Sequence, residues 1–341
     1  MTTPAADGFY LPGEWVPHTR CWMAWPCRKE LWGDALDAAC DAYAEVAEAI
    51  AGFEPVTMIA RGDEVASVSM RTDSRVATMP LGHDDSWIRD NGPTFVIDGK
   101  GQVAGIDWVF NSWGEKYKPF DQDAAVAELM LDRLKIKRYS APLVLEGGSI
   151  IGDGEGTLIA TEQCLLNPNR NPARSREEIE QLLRDYLGVR KIVWLGRGLV
   201  DDDTDGHVDN LLTFAKPGHV LALSSSDQQD ANHEILQDAI KRLRAATDAE
   251  GRSLEVVEIE QPKARYDANG KRLACSYVNL YIANGGVVMP VFEDANDQKA
   301  IDAVKKAFSE RRVVAVPSTD IVIGGGGIHC ITQPQPTGFP K

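Results

Sequence analysis

The sequence contains no run of about 18 consecutive apolar residues, the length that an α-helix needs to cross a membrane. We therefore expect no membrane-spanning helix. The first residues, Met1-Thr2-Thr3-Pro4, also lack the basic segment followed by an apolar one that is typical of a secretion signal. We expect the protein to be cytoplasmic.

Cysteine is scarce and scattered in this chain. The six cysteines form no C-x-x-C pair, which argues against a disulfide framework and against a zinc site of common spacing. A reducing compartment is the simplest environment for such a protein. The H-E-x-x-H motif of zinc hydrolases is absent as well, so we expect neither a metal nor another cofactor.

Positive charge is in deficit. The 341 residues include 36 lysines and arginines but 51 aspartates and glutamates, which gives a net charge of −15 at pH 7. Such a charge disfavours nucleic acid and anionic membranes as main partners and is compatible with a cationic substrate. With 43% hydrophobic and 26% charged residues, the composition is that of a globular protein with ample material for a core.

Four consecutive glycines, Gly324–Gly327, lead to Cys330 near the end of the chain. Glycines in a row allow unusual backbone angles and close approach of another group, so we interpret Cys330 as a presented nucleophile. The alternatives are a buried structural cysteine, a linker and a phosphate-binding loop. A phosphate loop needs a helix directly after the glycines, whereas Ile328–Thr332 is typical of a strand.

A unit of two strands and a helix recurs along the chain. The opening reads as strand, helix, strand, and four later hairpins are each followed by a helix. Units of roughly 50 to 70 residues indicate a closed radial array or a solenoid. In a radial array, residues at the start of successive hairpins converge on one axis, and Asp90, Glu146, His207 and Cys330 hold such positions. The predicted helices are 34–51, 122–136, 174–187, 231–248 and 297–310.

The acidic segment 201–209 has two interpretations. As a calcium loop it fails, because the twelfth position is Leu212 instead of a bidentate glutamate. As the start of a strand it would place His207 and Asp209 on one face, suited to acid–base chemistry near neutral pH. A solvated loop with a hydrogen-bonded histidine remains open, and so does a zinc site formed by His207, Asp209 and Cys330.

Two further carboxylates lie at hairpin starts. Asp90 precedes Asn91-Gly92-Pro93, and this combination of residues is also common in turns without any functional role. Glu146 lies between an apolar segment and two glycines, where a partly buried acid needs a partner or a cationic ligand. Together with Asp209 they would form an anionic pocket that suits a planar guanidinium with its five N–H donors.

Four ordered motifs carry a resemblance that covers nearly the whole chain: W-x-R-D-N-G-P at 87–93, E-G-G-S at 146–149, D-G-H-V-D-N at 205–210 and G-G-G-G-I-H-C-I-T-Q at 324–333. They resemble the agmatine deiminase family of guanidine-modifying enzymes. The resemblance implies a five-bladed α/β propeller (the pentein fold) of ββαβ units around a pseudo-fivefold axis, with residues 1–341 as a single catalytic domain. The sequence departs from the family pattern at Pro334, which affects the packing of the tail more than the reacting positions.

The resemblance also implies roles for the residues at the predicted axis. Cys330 is similar to the nucleophile that attacks the guanidinium carbon, and His207 to the acid–base that protonates ammonia and then activates water. Asp90 and Asp209 are similar to the carboxylates that hold the guanidinium nitrogens, with Glu146 beside them.

Other positions are implied to bind the rest of the substrate. Asp203 lies where the family places an acid near the far amine of agmatine. Trp87 and Trp113 would form apolar walls for the methylene chain, and Gly327 belongs with the substrate-binding residues. His329 should point to the opposite face of the strand from Cys330, and we expect it to be structural, as we expect of Arg89.

The implied reaction is hydrolysis of agmatine to N-carbamoylputrescine and ammonia through a covalent thiouronium on the cysteine. Deimination of peptidyl-arginine or of another guanidine is the alternative within the class, and the acidic segment 201–205 favours an amine at the far end of the substrate. A non-catalytic polyamine-binding protein and a zinc hydrolase are the alternatives outside it. We also expect that substrate binding helps to create the thiolate, since a bound cation lowers the pKa of a thiol. A homo-oligomer is possible.

Overall fold

The computed structural model describes residues 2–340. The strands in this range are β1 (His18–Ala24), β2 (Val56–Ala60), β3 (Val76–Pro80), β4 (Thr94–Ile97), β5 (Val103–Val109), β6 (Lys137–Val144), β7 (Ile150–Gly152), β8 (Thr157–Thr161), β9 (Lys191–Leu195), β10 (Leu212–Lys216), β11 (His219–Ser224), β12 (Glu255–Glu260), β13 (Tyr281–Ala283), β14 (Gly286–Val291), β15 (Arg312–Pro317) and β16 (Thr332–Pro336). The α-helices are α1 (Lys29–Trp32), α2 (Leu36–Ala51), α3 (Val65–Arg71), α4 (Ile88–Asn91), α5 (Ser112–Glu115), α6 (Asp123–Leu134), α7 (Glu162–Leu165), α8 (Arg176–Leu187), α9 (His233–Ala245), α10 (Asp297–Ala307) and α11 (Thr319–Val322).

These strands form five sheets, and four of the sheets repeat one arrangement. The first strand pairs antiparallel with the second, a helix follows, and the third strand returns parallel to the second. The repeated units are β4-β5-α6-β6, β7-β8-α8-β9, β10-β11-α9-β12 and β13-β14-α10-β15.

The fifth sheet joins the two ends of the chain. Its strand order is β16-β1-β2-β3, with β16 antiparallel to β1, and Thr332 opposite Met23. Strands β1 and β2 are parallel and are connected through α2, so β16-β1-α2-β2 repeats the ββαβ order of the other four. The predicted five-bladed α/β propeller is confirmed, with its last blade assembled from both termini.

Helix α8 shows how the sequence sets the ends of an element. The Ser175 hydroxyl accepts the N–H of Glu178 and the Glu178 carboxylate accepts the N–H of Ser175, a capping box that starts the helix. Gly188 ends it with a φ of 65°, a left-handed angle that glycine adopts without strain. Between the caps, Ile179 and Leu183 lie one turn apart and are both buried, so the helix presents one apolar face to the core.

The hairpin starts differ from prediction in two places. His207 and Asp209 do not lie on a strand: Val208–Asn210 forms one turn of 3-10 helix and β10 begins only at Leu212. Cys330 likewise lies in a turn, closed by the bond from the N–H of Thr332 to the His329 carbonyl at 3.2 Å, before β16 begins. In both segments, local turn hydrogen bonds replace the strand ladder, so alternation of faces does not decide where these side chains point.

The five predicted helices all occur, and each of their ends lies within about three residues of prediction. None of the helices in residues 2–340 combines the length and the apolar character that a bilayer crossing requires. The helices cover the sheets and bury apolar clusters between them, which leaves the hairpin starts free to meet at the centre.

Replacing a leucine with alanine should lower the free energy of unfolding much more in the core than at the surface. Leu183 in α8 is fully buried, whereas Leu129 in α6 is 41% exposed. We expect Leu183→Ala to lower the free energy of unfolding by about 2–5 kcal/mol, because it removes buried contacts and leaves a cavity. Leu129→Ala should change it by less than about 0.5 kcal/mol. Urea unfolding followed by circular dichroism measures both, and equal losses would contradict the described packing.

Candidate active site

The structure brings together residues that lie up to 240 positions apart. The Cys330 sulfur lies 3.5 Å from Asp209 Oδ2, and the two ring nitrogens of His207 lie 3.8 Å from Asp90 Oδ1 and 3.5 Å from Glu146 Oε2. All five side chains are buried. They form a cluster of one thiol, one imidazole and three carboxylates at the centre of the propeller.

Each blade supplies a residue from the turn that precedes its first strand. Asp90 precedes β4, Glu146 precedes β7, the His207–Asp209 turn precedes β10 and Cys330 precedes β16. The turn before β13 supplies Asn279, which the sequence analysis did not single out. Its place at the start of the fourth hairpin was the available signal, but an asparagine carries no titratable group that would have drawn attention to it.

Asn279 holds the cysteine in position. Its Nδ2 atom donates to the Cys330 sulfur at 3.3 Å, and its Oδ1 atom accepts the N–H of His329 at 2.9 Å. A β-carbon on Gly327 would lie 2.4 Å from that same Oδ1 atom, so a glycine is required for the chain to pass Asn279 this closely. Gly327 therefore shapes the turn that presents Cys330.

The surroundings of Cys330 favour the neutral thiol. Burial raises its pKa well above the ordinary value, and the carboxylates of Asp209 and Asp90 raise it further. Hydrogen bonds from the Gly327 backbone and the Asn279 amide oppose this effect. A thiolate at this position needs an additional positive charge nearby.

His207 lies fully buried with no hydrogen-bond partner on either ring nitrogen. Burial alone would lower its pKa, but Asp90 raises it, and so do Cys164 and Glu146, with the result well above the ordinary value. An imidazolium whose N–H groups are not committed to a strong partner can transfer a proton to a nearby group.

Glu146 has a partner that the sequence did not indicate. Arg170 Nε donates to Glu146 Oε1 at 2.7 Å, and both side chains are fully buried. Burial raises the pKa of Glu146, but Arg170 and His207 outweigh burial and hold it below the ordinary value. Glu146 therefore faces His207 as half of a buried ion pair, which leaves Asp90 and Asp209 of the predicted anionic pocket to contact a substrate. Arg170 lies in a turn without a motif, so no signal pointed to it.

Asp90 accepts two hydrogen bonds, from the N–H of Gly148 at 3.0 Å and from Nε1 of Trp113 at 2.9 Å. Burial raises the pKa of Asp90 to about 6, against the opposing effect of His207 and with a contribution from Asp209. Trp113 thus orients a carboxylate as well as lining the site.

A narrow cavity leads to Cys330. Trp87 and Trp113 line it, and Trp87 stacks on Trp32 at a ring distance of 6.0 Å. Asp203 also lines the cavity, with its side chain 30% exposed, whereas Cys330 is 4% exposed. The cavity therefore runs from a buried thiol to a carboxylate near the surface. The residues that line it are Leu31, Asp85, Trp87, Asp90, Trp113, Tyr117, Asp203, Thr204, Gly324, Gly325, Gly326 and Cys330.

Two lysines reach the acidic segment at the mouth of this cavity. Lys271 forms an ion pair with the Asp203 carboxylate, and Lys116 Nζ lies 2.8 Å from Asp205 Oδ1. Arg170 Nη1 also lies 2.9 Å from Asp205 Oδ2. Of the three aspartates 201, 203 and 205, Asp203 is the one that lines the cavity.

His329 differs from prediction. His329 and Cys330 lie in a turn instead of a strand, so their side chains do not have to point to opposite faces. The Nδ1 atom of His329 lies 2.9 Å from Asp209 Oδ2. Its Nε2 lies 2.9 Å from Oε1 of Glu14, which also accepts Nη1 of Arg89 at 2.7 Å. Glu14, Arg89 and His329 therefore belong to the charged surroundings of the site.

One group in residues 2–340 has the donor atoms of a metal site: Glu146, Cys164 and His207 offer ligand atoms within 4.8 Å of one another. Arg170 occupies one oxygen of Glu146 at 2.7 Å, and its positive charge repels a cation there, so the residues fit a metal ion poorly. The alternative trio of His207, Asp209 and Cys330 is not such a group within the described range.

Comparison with known proteins gives one consistent result. The family described as Porphyromonas-type peptidyl-arginine deiminase matches residues 10–336. The agmatine deiminase of Ectopseudomonas mendocina is 46% identical, over 98% of this chain and 97% of its own length. The solved agmatine deiminase of Enterococcus faecalis superposes with a TM-score of 0.95 at 38% identity, covering 98% of both chains. A solved agmatine deiminase of C. jejuni with substrate bound superposes with a TM-score of 0.88 at 26% identity, over 96% of both.

Gly148 lies where the cluster leaves no space for a side chain. A β-carbon there would lie 2.6 Å from His207 Nδ1, 2.9 Å from Asp209 Oδ2 and 3.0 Å from Asp90 Oδ1. We expect Gly148→Ala to displace these groups and to lower kcat/KM on the order of 100-fold, as small misplacements in active sites do. Ammonia release from a guanidine substrate measures the effect.

Gly62 provides the matched control, since a β-carbon there has no heavy atom within 4 Å. Gly62→Ala should retain full activity. Full activity of Gly148→Ala would show that the described cluster is not the place where the reaction occurs.

Proposed function

Because this chain belongs to the agmatine deiminase family of guanidine-modifying enzymes, we propose that it hydrolyses agmatine to N-carbamoylputrescine and ammonia. One observation carries the assignment of substrate: a single cavity is lined by the Cys330 thiol and the Asp90 carboxylate at its buried end and by the Asp203 carboxylate at its mouth, and Asp209 lies 3.5 Å from the thiol. Agmatine has a guanidinium at one end and an ammonium at the other, so its two charges match the two acidic ends.

The guanidinium binds between Asp90 and Asp209. Asp209 Oδ1 is buried without a hydrogen-bond partner, and an ionised carboxylate in that situation needs a donor. A guanidinium supplies several N–H donors in one plane, which two carboxylates can hold in a fixed orientation. Trp87 and Trp113 flank the methylene chain, and Asp203 receives the ammonium. The planar carbon then lies beside the Cys330 sulfur.

Substrate binding supplies the charge that a thiolate needs. Close to the site, the carboxylates of Glu14, Asp90, Glu146 and Asp209 face the three fixed cations Arg89, Arg170 and His329. A protonated His207 compensates the fourth carboxylate, and a bound guanidinium then adds one positive charge in excess. Ionisation of Cys330 cancels that excess, so the thiol loses its proton most readily when the substrate is present.

The reaction proceeds in two halves. The Cys330 thiolate, whose proton has gone to solvent, bonds to the guanidinium carbon and gives a tetrahedral adduct. His207 then gives its proton to the departing nitrogen, the bond from carbon to that nitrogen breaks, and ammonia leaves a thiouronium on Cys330. Water then enters, His207 accepts one of its protons, and the oxygen bonds to the same carbon as the bond to sulfur breaks. The ureido product leaves with the water oxygen, and Cys330 regains its proton.

Peptidyl-arginine or another guanidine is the second candidate, favoured by the description of the matching family. A substrate with a carboxylate at its far end needs a cation there. Lys271 and Lys116 could serve only if they leave the aspartates they contact. Because both lysines are already paired with aspartates and Asp203 lines the mouth of the cavity, the structure favours a substrate with an amine at its far end, such as agmatine. A non-catalytic polyamine-binding protein would have no need of a thiol beside the two carboxylates.

The domain organisation, the cellular location and the oligomeric state are further proposals. We propose that residues 1–341 act as a single catalytic domain and that the enzyme works in the cytoplasm, where all six cysteines can stay free as they are here. A homo-oligomer remains a prediction, which light scattering after gel filtration would decide.

Cys330→Ala tests the reaction and the nucleophile together. We expect the wild-type protein to form a ureido product from agmatine, detected colorimetrically, and the variant to form none above background, because the covalent step needs the sulfur. Cys275→Ala is the matched control, because Cys275 is another buried free cysteine but packs in an apolar cluster that does not contain Cys330, so its removal should leave the covalent step available. Product from Cys330→Ala at the wild-type rate would exclude the proposed mechanism.

Asp203→Asn tests the recognition of the far amine. We expect KM for agmatine to rise by about tenfold, since the variant loses an ion pair with the ammonium, while kcat changes little. Butylguanidine, which has the same chain but no amine, should show no change. An equal loss on both substrates would place Asp203 in the chemistry or the fold instead of in amine recognition.

A further inference from the structure

His329 is held between two carboxylates. Its Nδ1 lies 2.9 Å from Asp209 Oδ2 and its Nε2 lies 2.9 Å from Glu14 Oε1. An ionised carboxylate can only accept a hydrogen bond, so each ring nitrogen must carry a proton to make both contacts. We infer that His329 is a permanently charged positioning residue, which holds Asp209 ionised and fixed beside the Cys330 sulfur. The inference rests on the proposed function, in which Asp209 binds the guanidinium.

Four other contacts lock this arrangement in place. Arg89 Nη1 binds the same Glu14 oxygen at 2.7 Å, and Arg89 Nε donates to the His329 carbonyl at 3.2 Å. The N–H of Arg89 donates to the Cys330 carbonyl at 3.2 Å, and the N–H of His329 donates to Asn279 at 2.9 Å. These contacts hold the backbone of His329 and the carboxylate of Glu14 in place.

The two histidines of the site contrast sharply. His207 has no hydrogen-bond partner on either nitrogen, whereas both nitrogens of His329 are engaged by acids. A proton on His207 can leave for a reacting group, but loss of a proton from His329 would break a buried ion pair. The first histidine is suited to proton transfer and the second to constant charge.

The charged groups around His329 determine how loss of its charge changes the pKa of Asp209. Burial and the neighbouring Arg89 lower its pKa, but Glu14 and Asp209 raise it above the ordinary value. Burial raises the pKa of Asp209, but His329 outweighs it, with help from His207 and Arg89, and holds it below the ordinary value. Asp90 and Cys330 complete the charged surroundings of Asp209. Removing the charge of His329 therefore raises the pKa of Asp209, so that Asp209 becomes neutral at a higher pH than in the wild type.

His329→Gln removes the charge and keeps a side chain that can donate to Asp209. We expect the acidic limb of the kcat/KM profile for agmatine to move up by about one pH unit, which is a tenfold loss on that limb. The pH dependence of Cys330 alkylation by iodoacetamide, followed on its peptide by mass spectrometry, should move in the same direction. The thiolate loses a neighbouring cation and forms at higher pH.

His18→Gln is the matched control. His18 is also a buried histidine beside an acid, with Nδ1 3.2 Å from Glu54, but it does not contact Asp209 or Cys330. The His18→Gln variant should be less stable than the wild type, but its pH profiles of kcat/KM and of Cys330 alkylation should not move. A His329→Gln enzyme that loses the same factor at every pH, with unshifted profiles, would show a packing role only and overturn the inference.

A second variant covers the case in which His329→Gln does not fold. Glu14→Gln keeps the imidazole but removes one of its two anions, so His329 should lose its proton at lower pH and activity should fall on the alkaline limb. An unmoved alkaline limb would contradict the inference. Should the wild type hydrolyse no guanidine at all, the proposed function fails, while the alkylation profiles still decide whether His329 sets the charge around Cys330.

Discussion

Three carboxylates, Asp90, Glu146 and Asp209, are buried around the axis on which the five sheets converge, and the partly buried Glu14 lies behind them. Glu146 has Arg170, while Glu14 and Asp209 share His329, with Arg89 on Glu14. Removing one partner from a buried ion pair typically costs about 3–5 kcal/mol, so these pairs must form together for the centre to be stable. Asp90 is the exception, held by two neutral donors and with a raised pKa.

The propeller supplies the geometry that this arrangement requires. A turn before each first strand can point a side chain inward without using the strand ladder, and five such turns meet at one place. The closing blade, in which β16 pairs with β1, fixes Cys330 against residues from the other four. The same N-terminal region delivers Glu14 behind His329. Closure of the fold and completion of the site are therefore one event.

The sequence was sufficient to predict the positions of the titratable and nucleophilic residues of the site. Asp90, Glu146, His207 and Cys330 were expected to converge because each opens a hairpin, and the helices could be recognised from apolar spacing. The backbone conformation at the start of the hairpins was harder to predict from the sequence. The turns at His207 and Cys330 have strand-like composition, and only their hydrogen bonds show that the ladder begins later. Residues that act as partners were the hardest to find. Asn279 opens a hairpin but carries no titratable group, and the role of Arg170 and Glu14 is visible only from the side chains that they contact.

The contrast between the histidines follows from this distribution of partners. A buried imidazole with two acids at hydrogen-bond distance cannot serve as a proton carrier, because each transfer would strand a buried carboxylate. A buried imidazole with acids just beyond that distance keeps its charge without being bound to them. The difference between 2.9 Å at His329 and 3.5–3.8 Å at His207 thus separates a fixed charge from a mobile proton. With the fixed cations already committed to acids, the remaining charge for a thiolate has to come from His207 and the substrate, which ties activation of Cys330 to binding of a guanidinium.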